Sequence, residues 1–217
     1  MSSQPVKVFD RHPSLPANMQ VLTYDTTEDM KWCLLGGIVA GANNSIDGNM
    51  QLYSAEKKVS QPLTGHAAAF ITIKVPDRSD PAEVLVFHQK SPGVAEQKLY
   101  VMEVGRDPSL GPAFKLAPTT IPVPQDALSD FPVSLAVDSQ SSIAFLITKM
   151  GYLYMFDVVT GSALYRARIS QDTIFMTCPT STGAVLGMTA RKGQLLSLGM
   201  NKDTIVPYIV QTLRDTR

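Results

Sequence analysis

The apolar residues of the chain fall in short runs, separated by polar segments that carry glycine and proline. Within the runs, β-branched and aromatic side chains are common and often alternate with polar ones, which is typical of half-buried strands. The pattern therefore predicts an all-β fold. The predicted strands lie at 20–24, 32–39, 48–55, 57–63, 67–75, 83–89, 98–104, 113–118, 133–137, 143–148, 153–157, 163–168, 173–177, 184–189 and 194–198.

A glycine followed by an apolar-rich strand recurs along the chain. Gly48–Ser54, Gly151–Asp157 and Gly193–Gly199 are three copies, and Lys98–Glu103 is a fourth that lacks the glycine. The copies start roughly 40 to 55 residues apart, which is the period of β-propeller blades. We therefore predict about four WD40-like, four-stranded blades, each of which must pack against its neighbours to bury its faces.

Turns and edges follow from glycine and proline. Asn43–Gly48 is predicted as a turn or short loop. The hairpin of 153–157 and 163–168 should close with Gly161 at positive φ. Proline is dense between Pro112 and Pro132. Because proline cannot donate a hydrogen bond to a central strand ladder, we place this stretch at a sheet edge or between blades.

The end of the chain has a different pattern. Apolar residues at 205, 206, 209, 210 and 213 have helical spacing. Asp203 or Thr204 is the predicted cap, and Pro207 is expected in the first turn. The predicted organisation is a partial propeller at 1–203, followed by the start of an α-helical linker at 204–217.

Composition excludes several classes of function. The 19 Lys and Arg residues balance the 19 Asp and Glu residues, so no basic field favours nucleic acid or a membrane surface. No apolar run reaches the roughly 20 residues of a membrane span. The first residues lack the apolar core of a signal peptide, and Val6–Phe9 is predicted as a strand, as though the sequence began inside a larger protein. Cys33 and Cys178 are interpreted as buried free thiols in a reducing compartment.

Catalytic chemistry finds little support in the sequence. His66 follows a glycine and precedes an alanine-rich strand, and we interpret it as a structural histidine with hydrogen bonds inside a blade. His12 and His88 are isolated and are predicted at the surface or in loops. Propeller enzymes with a site at the central channel are the alternative, but no nucleophile elbow, Walker loop or zinc motif is present. We predict no enzymatic activity, cofactor or metal.

Several short sequence segments resemble segments of the clathrin heavy chain family and occur in the same order. These segments are Val8–His12, Gly48–Ser54, Lys58–Pro62, Gly65–Phe70, Asp130–Val133, Phe145–Lys149, Arg191–Gln194 and Ile205–Ile209. The resemblance implies the amino-terminal domain of that family, a seven-bladed propeller followed by a helical linker. It places this chain at about blades four to seven and the first linker helix.

The resemblance also implies two binding sites. A groove between blades four and five, which binds short linear motifs of adaptor proteins, would be formed by Trp32, Leu52, Lys57, Val59 and Gln61. A central pocket for a tryptophan-bearing motif would include Gln20, Leu22 and Ile38. The family groove between the first two blades has no counterpart here.

Other interpretations of the groove residues remain open. Trp32 is the only tryptophan, and it is either a core anchor between strands or a groove wall. Lys57 and Gln61 fit a solvated strand face equally well. Lys57 replaces the arginine more usual in the family, which gives a point charge in place of a two-pronged donor. The stretch Ile121–Pro124 lacks the aromatic residues usual there.

By this resemblance, the chain is part of the structural coat protein of clathrin-coated vesicles, on the cytoplasmic face of coated pits. Its expected partners are endocytic and trafficking adaptors. Clathrin light chain and other heavy chains would bind parts of the full-length protein that are absent from this sequence, and membrane insertion is not expected. A generic propeller scaffold outside vesicle coats is the alternative function. Four blades of a larger ring should also be less stable than the whole ring.

Overall fold

The described residues of the computed structural model are 19–40, 46–90, 96–179, 185–189, 195–198 and 202–215. They form fifteen strands and one α-helix, with single 3-10 turns at Pro108–Leu110 and Gln125–Ala127. The elements are β1 Met19–Thr26, β2 Trp32–Ala40, β3 Ile46–Ser54, β4 Val59–Leu63, β5 Ala67–Lys74, β6 Pro81–Lys90, β7 Gln97–Glu103, β8 Thr119–Ile121, β9 Pro132–Asp138, β10 Ile143–Thr148, β11 Tyr152–Asp157, β12 Ala163–Arg168, β13 Ile174–Pro179, β14 Val185–Thr189, β15 Leu195–Leu198 and α1 Lys202–Asp215.

The strands form four antiparallel sheets, and in each the strands follow one another in chain order. We name them sheet A (β1–β4), sheet B (β5–β8), sheet C (β9–β12) and sheet D (β13–β15). The first strand of each sheet contacts the first strand of the next: β1 with β5, β5 with β9, and β9 with β13. Inner strands that meet around a centre, with meanders running outward, are the architecture of consecutive β-propeller blades. The predicted fold class is therefore confirmed.

The apolar core lies between the facing sheets. One cluster joins sheets A and B and includes Leu34, Leu52 and Leu85. A larger one joins sheets B and C, where Val84 and Phe156 are fully buried. Because each sheet is covered on a face by its neighbour, the strands bury both of their faces and lose strict alternation, as in β10, where all six residues are buried.

Most predicted strands are confirmed to within two residues at each end, but three local predictions are wrong. The stretch 113–118 is not a strand, and only Lys115 makes an isolated bridge, to Met102. The outer strand of sheet B is instead Thr119–Ile121, between Pro118 and Pro122, which confirms the edge position predicted for this proline-rich segment. The predicted turn Asn43–Gly48 is wrong at its end, because β3 begins at Ile46.

The third error concerns the helix and its proline. Helix α1 begins at Lys202, so Pro207 lies inside the helix and not in its first turn. The turn prediction at Gly161 is confirmed, since its φ is +75°. Val6–Phe9, His12 and Gly193 lie outside the described residues.

Candidate functional site

The register of sheet A aligns the residues expected in the groove. Trp32 of β2 pairs with Ser54 of β3, and Ser54 pairs with Val59 of β4. In the next row on the same face, Leu34 pairs with Leu52, and Leu52 pairs with Gln61. Because residues two apart in a strand share a face, both rows are directed toward sheet B.

The burial of these residues decreases from β3 to the outer strand β4. The Leu52 side chain is 3% exposed and belongs to the cluster between sheets A and B. Trp32 is half-buried and packs against the same cluster. Val59 is 50% exposed, and Gln61 is exposed on the same outer strand. The face thus runs from an apolar floor to an accessible rim.

Lys57 lies in the turn Ala55–Lys58, directly before β4, and its side chain is exposed. Its backbone N–H donates to the Ser54 hydroxyl over 3.3 Å, which holds the turn beside the Trp32 row. The left-handed backbone at Lys58, with φ of +53°, closes this turn. A cation therefore stands at the end of the apolar face, where an acidic side chain of a ligand could reach it.

The opposite wall comes from sheet B, and its residues were missed in the sequence. Tyr100 and Met102 of β7 are half-buried and pack against the A/B cluster. The Tyr100 ring stacks on Phe87 at a centroid distance of 4.8 Å and an interplanar angle of 7°. Alternation in β7 was the available signal, since Leu99 and Val101 occupy the other face.

We call the boundary between Lys57–Leu63 of sheet A and Lys98–Ile121 of sheet B the A/B seam. Within the described residues, no hydrogen bond or ion pair spans this seam. The corresponding B/C seam, between Thr119–Asp126 and Tyr152–Arg168, is cross-linked. The Thr119 hydroxyl donates to the Gly161 carbonyl over 2.8 Å, and Arg166 donates to the Pro122 carbonyl over 3.2 Å. At the far end Asp126 accepts from Tyr152 at 3.3 Å and lies 3.8 Å from Arg168.

An ionic cluster stands next to the A/B seam at the turns of sheet B. Glu103 accepts two hydrogen bonds of 2.9 Å from Arg78 and lies 3.4 Å from Arg106. The Arg78 hydrogen bonds lower the pKa of Glu103. Hydrogen bonds first from Arg78 and then from Arg106 lower the pKa of Asp80 to about 2. Both carboxylates are therefore ionised at neutral pH.

The histidines of this region are structural. His66 is 1% exposed; its Nε2 lies 3.0 Å from the Ile46 carbonyl, and its Nδ1 accepts from the Lys90 N–H at 3.3 Å. These contacts confirm that His66 is structural, but its partners lie on β3 of sheet A and β6 of sheet B, so the ring bridges two sheets and its bonds are not inside one blade. The surface prediction for His88 is wrong, because it is fully buried in β6 and its Nε2 lies 2.8 Å from Gln97 Oε1. Burial, and then the nearby His66, lower the pKa of His88 to about 3, so the ring is neutral.

The residues of the expected tryptophan-motif pocket lie on β1 and β2. Gln20 is the extra residue of a β-bulge, because Met19 pairs with Val39 and Val21 pairs with Ile38. Leu22 pairs with Gly37, so Leu22 and Ile38 are not direct partners. The Ile38 side chain is 2% exposed. The structure thus places the three residues on adjacent strands, with Ile38 in the core.

The described part of the chain contains no group of three or more histidine, cysteine or acidic side chains that could hold a metal ion. Cys33 is a free thiol, and it is half-buried where full burial was expected. Cys178 lies in β13, and its side chain is outside the described residues. None of the helices in the described ranges has the length and apolarity needed to cross a bilayer.

Comparison with known proteins gives one consistent answer. The chain is 41% identical over 212 residues to the probable clathrin heavy chain 1 of Caenorhabditis elegans, covering 97% of this chain and 12% of that protein. Clathrin heavy chain 2 of Homo sapiens is 41% identical over 214 residues, covering 98% of this chain and 13% of that protein. For clathrin heavy chain 1 of Arabidopsis thaliana the identity is 39%, with 95% and 12% covered.

No protein-family model matches the chain. Among solved structures, the β-propeller domain of Myceliophteria thermophila Cps50 (Swd1) superimposes with a TM-score of 0.48 at 11% identity, covering 85% of this chain and 59% of that one. The chain spans 12–13% of the length of the three curated relatives above. The match to these three relatives extends over nearly the whole length of this chain. The chain therefore belongs to the clathrin heavy chain family.

Proposed function

We propose that this chain is a peptide-binding module of a clathrin coat protein and that the A/B seam binds short linear motifs of adaptor proteins. The open A/B seam carries this proposal. Its floor is apolar at Leu52, its rim is accessible at Val59 and Gln61, and Lys57 stands at one end. An extended peptide could place aliphatic side chains on the floor and an acidic residue near the lysine.

Contrast between the two seams supports this choice of site. At the B/C seam, Thr119 and Arg166 already bond to carbonyls of the facing segment. A ligand there would have to replace existing hydrogen bonds, whereas at the A/B seam it would displace only water from Val59 and its neighbours. Tyr100 and Met102 give the ligand a second, aromatic and polarizable wall.

The physics of this groove favours modest affinity. A short peptide in one shallow groove gains apolar contact but loses conformational freedom on binding, so we expect a dissociation constant of ~10–1000 μM. Lys57 is exposed, and it therefore contributes mainly to selecting acidic motifs and to the association rate. Weak, reversible binding of many tails suits a coat that assembles on adaptors.

Further parts of the proposal follow from the family. We propose a role in endocytosis and intracellular transport at the cytoplasmic face of coated pits and vesicles, as a structural component and not an enzyme. Gln20, Leu22 and Ile38 would belong to a second pocket for a tryptophan-bearing motif. Residues 1–203 would form the propeller unit and 204–217 the beginning of a helical linker. Light-chain and heavy-chain contacts would lie elsewhere in the full-length protein.

The test is fluorescence anisotropy of the chain with a labelled peptide rich in leucine and acidic residues. Lys57→Glu should weaken binding, since it turns attraction to the acidic residues of the peptide into repulsion. Arg214→Glu is the matched control, because it makes the same change of charge at an exposed position of α1. Equal loss in both variants would indicate a non-specific charge effect, and a scaffold outside vesicle coats would then be the better interpretation. Absence of binding by the unsubstituted chain would refute the groove.

A further inference from the structure

The edge of the Trp32 indole rests on the backbone of Gly105. A Cβ atom built on Gly105 would lie 2.7 Å from Trp32 Nε1 and 3.5 Å from Cε2, so the indole fills the space that any other residue would need. Gly105 also has φ of +72°, in the region that favours glycine. Gly105 lies just after β7 of sheet B, whereas Trp32 belongs to sheet A. The contact therefore spans the two sheets at the end of the A/B seam.

The segment that carries Gly105 is held by the arginine that follows it. Arg106 Nε donates to the Gly111 carbonyl over 3.2 Å, and its guanidinium also donates to the Leu110 carbonyl. The same guanidinium reaches Asp80 at 2.9 Å and Glu103 at 3.4 Å. A planar guanidinium with several donors in fixed directions can hold all of these acceptors at once, which a lysine cannot do.

Glu103 connects this clamp to the rest of sheet B. It is the last residue of β7, two positions before Gly105, and its side chain is 4% exposed. It accepts two hydrogen bonds from Arg78, in the turn between β5 and β6, and one of 2.6 Å from the Phe114 N–H. The loop between β7 and β8 is thus fixed near both of its ends and to a neighbouring turn.

Burial of these charges gives little net stability, because desolvation offsets most of the attraction. Their directed hydrogen bonds do, however, restrict the loop to one geometry. The loop so held includes Gly105, whose missing Cβ leaves the space that the Trp32 indole occupies. The cluster, in which Glu103 and Arg106 are 4% and 8% exposed and Asp80 is 50% exposed, is therefore better explained by positioning than by stabilisation.

We infer that the cluster of Arg78, Asp80, Glu103 and Arg106 positions Gly105 against Trp32. The indole then forms the end wall of the proposed peptide groove along the A/B seam, which we call the A/B groove. These four are positioning residues, since they act through Gly105 and need not touch a ligand. The importance of the wall for recognition rests on the proposed function, but the position of the indole does not. An altered loop would uncover the edge of the indole and expose it to water.

Trp32 is the only tryptophan of the chain, so its fluorescence reports this contact directly. The experiment compares emission spectra and acrylamide quenching of the unsubstituted chain with Arg106→Gln and Gly105→Ala, without ligand. Both variants should show an emission maximum at longer wavelength and stronger quenching. Arg168→Gln is the control for loss of one arginine charge: it removes a more exposed arginine of sheet C, 3.8 Å from Asp126, and it should leave the emission unchanged.

Two further variants protect the test against simple unfolding. Asp80→Asn removes only the half-exposed member of the cluster and should give a smaller change of the same sign. Arg106→Lys keeps the charge but loses the fork, so it should not restore the spectrum. Far-ultraviolet circular dichroism verifies that each variant retains its sheet. Folded variants of Arg106 and Asp80 whose emission and quenching equal those of the unsubstituted chain would overturn the inference.

Peptide binding is then measured on the same variants. An affinity about tenfold weaker in Arg106→Gln, with unchanged affinity in Arg168→Gln, is the expected result if the wall contributes to recognition. A shifted emission spectrum in a chain that binds no peptide in any form would uphold the positioning of Trp32 and refute the groove function. An unshifted spectrum with normal peptide binding would refute the positioning of Trp32 and support the groove function.

Discussion

Leu52 and Gln61 are direct partners across β3 and β4, yet one is buried in the core and the other is exposed. They share a face of sheet A, but β4 is the outer strand, and Gln61 lies beyond the cover that sheet B provides. The boundary between the core and the A/B groove thus falls between these two residues.

This boundary predicts that stability and binding can be separated by neighbouring substitutions. Leu52→Ala should lower the free energy of unfolding by about 2–5 kcal/mol, because it leaves a cavity in the A/B cluster. Gln61→Ala should change the free energy by less than about 0.5 kcal/mol and weaken peptide binding. Urea unfolding and anisotropy measure the two effects. A Gln61 variant that destabilises the fold as much as Leu52→Ala would place Gln61 in the core.

Gly48, the third residue of β3, should be indispensable for folding. A Cβ on Gly48 would lie 2.1 Å from the Gly65 carbonyl oxygen and 2.8 Å from His66 Nδ1. Since rigid backbone occupies the space, Gly48→Ala should cost about 3 kcal/mol or prevent folding. Gly111→Ala is the control: no atom would lie within 4 Å of its Cβ, so only the backbone conformation, with φ of +93° and ψ of −174°, is strained, and the variant should cost about 1–3 kcal/mol and still fold. Thermal unfolding of the two variants should show this order.

His88 should make the chain sensitive to acid. Its pKa is about 3 in the folded state and about 6.5 in an unfolded chain. Below about pH 6.5 the unfolded state binds the proton and the folded state does not, so stability is complete above that pH and falls as the pH approaches 3. His66, whose pKa burial also lowers, acts in the same direction.

A matched variant isolates this contribution. His88→Gln does not titrate, and its amide can still donate to Gln97. The difference in unfolding free energy between the unsubstituted chain and His88→Gln should change by up to about 1.4 kcal/mol per pH unit below pH 6. Asp130, whose pKa burial raises, is common to both proteins and largely cancels in the difference. A difference independent of pH would contradict the burial of a neutral His88.

The cross-links of the B/C seam should matter for stability and not for ligand binding. Thr119→Val keeps the shape of the side chain but leaves the Gly161 carbonyl without its donor. The expected cost is about 1 kcal/mol of unfolding free energy. Peptide affinity, measured by anisotropy, should stay as in the unsubstituted chain. Gain of a second binding event in Thr119→Val would show that this seam also binds peptide once opened.

Sequence patterns predicted the strands well because alternation and glycine spacing are local signals. They failed at 113–118, where apolar residues suggested a strand. The structure has a loop there, with one isolated bridge between Lys115 and Met102 in the described residues. They also failed at His88, because its partner Gln97 lies on the next strand and the pairing depends on register. The apolar run Val84–Phe87 that precedes His88 was the available sign of burial on both faces.

The candidate site was only half accessible to sequence reasoning. Family resemblance indicated the residues of sheet A, from Trp32 to Gln61. Tyr100, Met102 and Gly105 reach the site across a boundary between sheets, and no local pattern reports which residues face each other there. The ionic cluster was invisible for the same reason, since Arg78 and Glu103 are brought together by a turn and a strand end.

The unequal seams have a mechanical consequence. In the described residues, the outer strands of sheets A and B contact each other only through side-chain packing. Sheets B and C are also linked by hydrogen bonds. A peptide lying across the A/B seam would contact both sheets, and its binding free energy would stabilise the contact between the two blades. Adaptor binding and stabilisation of the A/B seam would then be coupled, so a domain without peptide would open at this seam more easily than a domain with bound peptide.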